Sequence, residues 1–140
     1  MARITLTLAD RLPTADEHRK IAEAVGWSHA FAWEFLPASL AGSTAGVVAL
    51  DGEEVVGMGR LVGDGVSYFY VQDLAVLPSH QGEGIGTLLL RRLLDHVRDT
   101  APAPAFVGLF STGEGAALYA REGFTPGDMT GMFRLVTPAP

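Results

Sequence analysis

The segment Y-F-Y-V-Q-D-L-A-V-L-P-S-H-Q-G-E-G-I-G-T-L-L-L-R-R-L-L-D-H-V, residues 68–97, constrains this chain more than any other. It opens as a long apolar run, passes three glycines within five residues (Gly82, Gly84, Gly86), and ends as an amphipathic helix. From Gly86 to about Arg98, Leu89, Leu90, Leu93, Leu94 and Val97 gather on one side, and Arg91, Arg92, Asp95 and Arg98 on the other. A strand, a bare loop and a helix start together make an anion site. The first N–H groups of a helix lack intrahelical partners, the dipole favours negative charge there, and glycines let a ligand approach the backbone.

Several spacings compete for that loop. A Walker loop needs Gly-Lys-Ser/Thr after four spacers, and no lysine stands here. A Rossmann turn needs G-x-G-x-x-G, but the third position counted from Gly82 and Gly84 is Thr87. That turn also opens a βαβ unit, whereas here a series of strands precedes it. The pattern Q-x-x-G-x-G (Gln81, Gly84, Gly86) remains, beside a glycine turn with a purely structural role.

The flanking sequence supplies the rest of the fold. Arg3 to Leu8 alternates apolar residues with threonine and predicts a strand. Thr14 with Glu17 three residues on is a capping box, predicting a helix with Ile21, Ala24 and Val25 inward and an end at Gly26. Residues 27–40 predict a helical segment broken near Pro37. Ala45 to Leu50, Val55 to Val62 and Val66 to Leu77 predict an antiparallel meander, turned at Asp51-Gly52 and at Gly63-Asp64-Gly65. After the long helix, A-P-A-P-A is a linker and Phe106 to Phe110 a buried strand. Ser111 with Glu114 suggests a second capping box, opening a helix to Arg121 with Gly123 as its cap. Phe124, then Met132 to Val136, predict a last strand or pair. The whole reads as an α+β sandwich: a mixed, mostly antiparallel sheet with helices on both faces. One domain spans residues 1–140, with a loose tail from about residue 137.

Composition excludes some functions. The formal charge of −6 disfavours nucleic acid and anionic membrane surfaces, both of which attract basic faces. The chain has no cysteine, and its four histidines show no metal-ligand spacing, so no metal is expected. No apolar stretch approaches the roughly 20 residues of a membrane span, and the N-terminus lacks a signal-peptide core. A soluble cytoplasmic protein is the expectation.

Two motifs carry a family resemblance. The loop lies within L-A-V-L-P-S-H-Q-G-E-G-I-G-T-L-L-L, and L-Y-A-R-E-G-F (Leu118 to Phe124) matches a Y-x-x-x-G-F signature farther on. Together with the element order from residue 3 to about 136, they resemble the GCN5-related N-acetyltransferases, the GNAT family. The resemblance implies acetyl-CoA as co-substrate, held without a metal. It implies that the backbone of Leu74, Ala75 and Val76 pairs with the pantetheine arm, and that Gln81, Gly82, Glu83, Gly84, Ile85, Gly86 and Thr87 take the pyrophosphate. It makes Tyr119 the acid that protonates the departing thiolate. Asp73 is the carboxylate placed for the base; a fixed hydrogen-bonding role, a water chain or Glu34 are the alternatives. Thr112 stands where relatives often carry an asparagine that touches coenzyme A.

The acceptor site is expected between the early helical segment and the central strands, with Trp27, Trp33, Tyr70 and Gln72 as substrate-binding candidates and Phe31 and Tyr68 as further walls. His80, His96, Arg91 and Arg92 read as solvated. The implied reaction is acetyl transfer to a primary amine of a small molecule, in a homodimer. An acyl-CoA-binding regulatory module and a protein or peptide acetyltransferase are the competing functions.

Overall fold

The computed structural model describes residues 5–140; the start of the strand expected from Arg3 lies outside the described residues. The chain forms two compact units, Met1–Leu109 and Phe110–Pro140.

The first unit carries a five-stranded sheet in the order β1-β2-β3-β4-β5. Strands β1 (Leu6–Ala9), β2 (Ala45–Asp51), β3 (Glu54–Gly63) and β4 (Tyr68–Val76) pair antiparallel, and β5 (Phe106–Gly108) joins β4 in parallel. The expected meander is present. Its first turn uses Gly52 at φ 64°. In the second, the Asp64 carboxylate accepts from the N–H groups of Val66, Ser67 and Tyr68, which delays the start of β4 to Tyr68.

Helix α1 (Ala15–Ala24) begins with the expected capping box: Thr14 Oγ1 accepts from Glu17 N, and Glu17 Oε1 accepts from Thr14 N. It ends in a Schellman turn. Gly26 N–H reaches Glu23 O and Trp27 N–H reaches Ala22 O at 2.8 Å. Its buried stripe is His18, Ile21 and Ala22; Ala24, expected inward, is exposed. Pro37 does not break the next segment. A 3₁₀ turn over Trp33–Phe35 leads into helix α2 (Leu36–Ala41), whose first turn contains Pro37, where a missing N–H costs nothing.

Helix α3 (Ile85–Thr100) buries Ile85, Leu89, Leu90, Leu93 and Val97. Alternation along β3 assigns the sheet faces. A Cβ on Gly57 would meet Leu89 at 3.0 Å, and one on Gly59 would meet Leu93 at 3.2 Å, so this face carries α3. Arg60, one residue on, reaches Ser39 of α2 on the opposite face. Helices therefore cover both faces, as expected. The strand at Phe106 is shorter than expected and lies at the sheet edge, with Phe106 exposed rather than buried.

The second unit holds helix α4 (Ala116–Arg121). The expected capping box at Ser111 is absent: Ser111 Oγ bonds Thr112 O, and it is Thr112 Oγ1 that accepts from Gly115 N. No strand forms at Phe124 or over residues 132–136. Met132, Phe133, Leu135 and Val136 are 71–90 % exposed, so apolar content there reflects neither ladder pairing nor burial.

Candidate active site

Strand β4 is paired on both sides only at its start. Beside β5 the register covers Tyr68↔Phe106, Phe69↔Val107 and Tyr70↔Gly108, and then β5 ends. Strand β4 continues to Val76, still paired to β3. Among the described residues no strand pairs with it on the β5 side past Tyr70, so this edge lacks a strand partner where an extended chain could add, although the Gln81 side chain occupies Val76 O.

A bulge interrupts the same stretch. The β3–β4 register slips between Met58 and Arg60, and Asp73 sits at φ 56°, the one non-glycine residue with positive φ among those described. A left-handed residue inside a strand re-aims its neighbours. Leu74 then lies over Gly59, where a Cβ would come within 2.9 Å of Leu74 Cδ1. Asp73 turns to the opposite face.

There it enters a buried cluster. Arg60 Nε donates to Asp73 Oδ2 at 2.8 Å, and His18 Nε2 meets the same oxygen at 3.0 Å. Arg60 Nη1 also donates to Ser39 O and Ser43 Oγ, and Nη2 to Ser39 Oγ. His18 is wholly buried and Arg60 is 8 % exposed. Burial pushes the Asp73 carboxyl up, but the hydrogen bonds from His18 and Arg60 and the guanidinium charge outweigh it, holding the group below the ordinary carboxylate range. An anion so firmly held is a poor proton acceptor. The geometry favours the fixed hydrogen-bonding role for Asp73.

Past Val76, a 3₁₀ turn (Pro78–His80) leads into the glycine loop. His80, read from sequence as solvated, is buried: its Nε2 meets Asp51 Oδ2 at 2.9 Å and its Nδ1 meets Ser79 Oγ at 2.7 Å. This contact ties the loop entrance to the β2–β3 hairpin. Gln81 Nε2 donates to Val76 O across the turn. Gly84 caps α3 at φ 82°, and being glycine it offers no capping side chain; a Cβ there would meet nothing within 4 Å. Gln81 to Thr87 thus present an open helix start of the kind that receives a phosphate. Arg92, by contrast, is engaged with Asp10 at 2.7 and 2.8 Å.

Of the substrate-binding candidates, Trp33 lies in the cluster region. Its ring is 5.1 Å from Phe31 and 6.2 Å from His18, and Arg19 stands 4.8 Å over it. Trp27 is half-buried at the α1 terminus. Tyr70 lies against Phe106, ring centroids 6.0 Å apart, beside Tyr68, and Gln72 is half-buried opposite Arg60 in the ladder. Glu34 is exposed.

Within the second unit, the Y-x-x-x-G-F segment is a Schellman motif. Gly123, at φ 90°, gives its N–H to Ala120 O, and Phe124 gives its N–H to Tyr119 O. The Tyr119 and Phe124 rings meet edge to face at 5.9 Å, so the motif fixes the tyrosine's position on α4. Burial raises the Tyr119 phenol above its ordinary range, keeping it a proton donor at neutral pH.

The model of the GNAT acetyltransferase domain matches residues 42–126, from before β2 through the Y-x-x-x-G-F segment. The chain belongs to the GNAT acetyltransferase family. A GNAT-family acetyltransferase from Streptococcus pneumoniae superposes at a TM-score of 0.80 with 34% identity, over 95% of this chain and 99% of that one. A probable acetyltransferase from meticillin-resistant Staphylococcus aureus gives 0.84 with 26% identity, over 94% and 99%. A GCN5-related N-acetyltransferase from Ralstonia eutropha, at 24% identity, 0.71 and coverage of 94% and 98%, shares the fold. No curated protein matches. In this GNAT chain no group of three or more metal-ligating side chains occurs among the described residues, and no described helix is long and apolar enough to cross a membrane.

His18 and Arg60 were missed in the sequence. The available signal was a lone arginine in an apolar strand. Such a charge needs a buried carboxylate, and Asp73 is the sole carboxylate of β4.

Proposed function

We propose that this protein transfers an acetyl group from acetyl-CoA to the primary amine of a small molecule by direct attack. The observation that carries the reading is the edge of β4 without a strand partner, followed after one 3₁₀ turn by the glycine-lined start of α3. That arrangement fits an extended arm ending in a pyrophosphate. Acetyl-CoA supplies the acetyl thioester and a thiol leaving group. Leu74, Ala75 and Val76 align the arm through their backbone, and an N–H of this stretch meets the negative charge that develops on the carbonyl oxygen. Residues Gln81 to Thr87 hold the pyrophosphate through main-chain N–H groups. Tyr119, with its raised phenol, gives its proton to the leaving sulfur. Thr112 lies four residues before α4 and offers a hydroxyl near that helix start. The aromatic pair Phe31 and Trp33 supports an acceptor with an apolar body.

The proposal extends to a homodimer in the cytoplasm, with no nucleic acid or membrane partner, supported by family habit and the acidic balance. Its test is thiol release from acetyl-CoA across amines, amino sugars, polyamines and peptides. Turnover with small amines is the expected result. Turnover with peptides alone, or with nothing, refutes it.

A further inference from the structure

The cluster at Asp73 contains one atom with nothing to bond. His18 Nδ1 is the sole buried side-chain nitrogen or oxygen without a hydrogen-bond partner among the described residues. Its ring is wholly buried on α1, with Nε2 held by Asp73 Oδ2. That oxygen also takes the Arg60 Nε–H, so the carboxylate charge is already matched by a guanidinium. In the tautomer that donates from Nε2 to Asp73, Nδ1 carries a bare lone pair. Buried acceptors are rarely left so, because an unmade bond costs desolvation without return.

What stands against the imidazole is aromatic. Phe31 lies edge-on at 4.9 Å and Trp33 at 6.2 Å, neither offering a donor to Nδ1. Trp33 gives its own N–H to Ser28 O. These rings belong to an irregular stretch, 27–35, whose remaining residues are mostly exposed. Asp73, the carboxylate that orients the imidazole, sits within the β4 stretch that has no strand partner on the β5 side.

We propose that His18 is the general base of the acetyl transfer, oriented by Asp73, and that the acceptor amine reaches Nδ1 when the 27–35 segment lifts. The inference rests on the amine acetyltransferase reading above. The amine nitrogen forms its bond to the acetyl carbon and gives one proton to Nδ1. The carbon–sulfur bond breaks, and the sulfur takes its proton from Tyr119. The imidazolium and the phenolate are then reset through solvent, leaving an amide and a free thiol. Asp73 is a positioning residue in this scheme and Arg60 its counter-ion, so the sequence-derived base acts through its neighbour. The acceptor class is a primary amine on an aromatic or aliphatic body that replaces Phe31 and Trp33 against the imidazole.

The decisive variant is His18→Gln. A glutamine N–H can keep the bond to Asp73 but offers no basic nitrogen. Expected are an unchanged unfolding midpoint within a few degrees, an unchanged Kd for acetyl-CoA, and a kcat lowered roughly 100-fold or more, the usual weight of general base catalysis. A kcat within about tenfold of wild type overturns the proposal and leaves the cluster a structural pin. Should the glutamine variant fold poorly, His18→Ala with added imidazole decides: turnover that rises with imidazole supports the base, and turnover that stays flat refutes it. The two readings are separable. Wild-type protein that acetylates no amine sinks the acetyltransferase reading and this one with it, whereas an active wild type with an equally active variant sinks this one alone.

Discussion

Replacing Arg60 with Met removes the charge that holds Asp73. The methionine fills much of the same space, so the loss is chiefly electrostatic. The Arg60 and Asp73 side chains are each 10 % exposed, and the guanidinium donates to Asp73 Oδ2, Ser39 O, Ser43 Oγ and Ser39 Oγ. Breaking one partner out of a buried pair costs about 3–5 kcal/mol, because the other charge stays behind unpaired. For a chain this size that lowers the melting temperature by roughly 10 °C or more. The pH dependence gives the sharper reading. In the wild type the Asp73 carboxyl is held below its ordinary range, so its contribution is present above the unfolded carboxylate pKa and is lost as pH falls through the folded value. In Arg60→Met the burial that pushes the carboxyl up has less opposing it, and the cost disappears once the carboxylate is protonated. Urea unfolding at neutral pH and near pH 4 measures both terms. The deficit should be large at neutral pH and shrink in acid. A deficit under about 1 kcal/mol, or one that does not move with pH, refutes the argument that a buried charge pair pins the β4 bulge.

Three further outcomes follow from the geometry. Tyr119→Phe should lower kcat by about 100-fold or more while leaving acetyl-CoA affinity intact, and the wild-type phenol should stay protonated until above about pH 10; steady-state kinetics and a pH–rate profile read both. Gly84→Val should cost about 1–2 kcal/mol through its φ of 82° rather than through a clash, and calorimetry should find acetyl-CoA bound more weakly. Unchanged affinity in that variant would move the pyrophosphate elsewhere. Trp27→Phe leaves Trp33 as the one tryptophan, and its emission should shift when a turned-over amine binds; a spectrum that ignores the amine means that the 27–35 segment does not lift.

Much of the fold was legible because its signals are local. Thr14 and Glu17 announce a capping box from four residues of sequence, and Gly52 and Asp64 mark turns by their own chemistry. The α3 stripe follows from its leucine spacing. The failures needed information from distant residues. Met132 to Val136 are apolar apart from Arg134, yet strand formation requires a partner, and these residues pair with none among the described ones. Ser111 and Glu114 have capping spacing, but Thr112 bonds the Gly115 N–H instead. The glycine loop before α3 was readable from its own residues, with Gly84 at the helix start. The environment of Asp73 was not, because His18 and Arg60 lie 55 and 13 positions away in the chain.

If the β4 edge and the glycine loop present an acetyl thioester directly to an amine, no covalent acetyl-enzyme forms. Following thiol release and amide formation together, with the intact mass of the protein recorded during turnover, tests it directly. One amide for each thiol, with no acetylated protein accumulating, is the expected result. Tight acetyl-CoA binding with neither product, or an acetylated protein that forms before the amide, would contradict it.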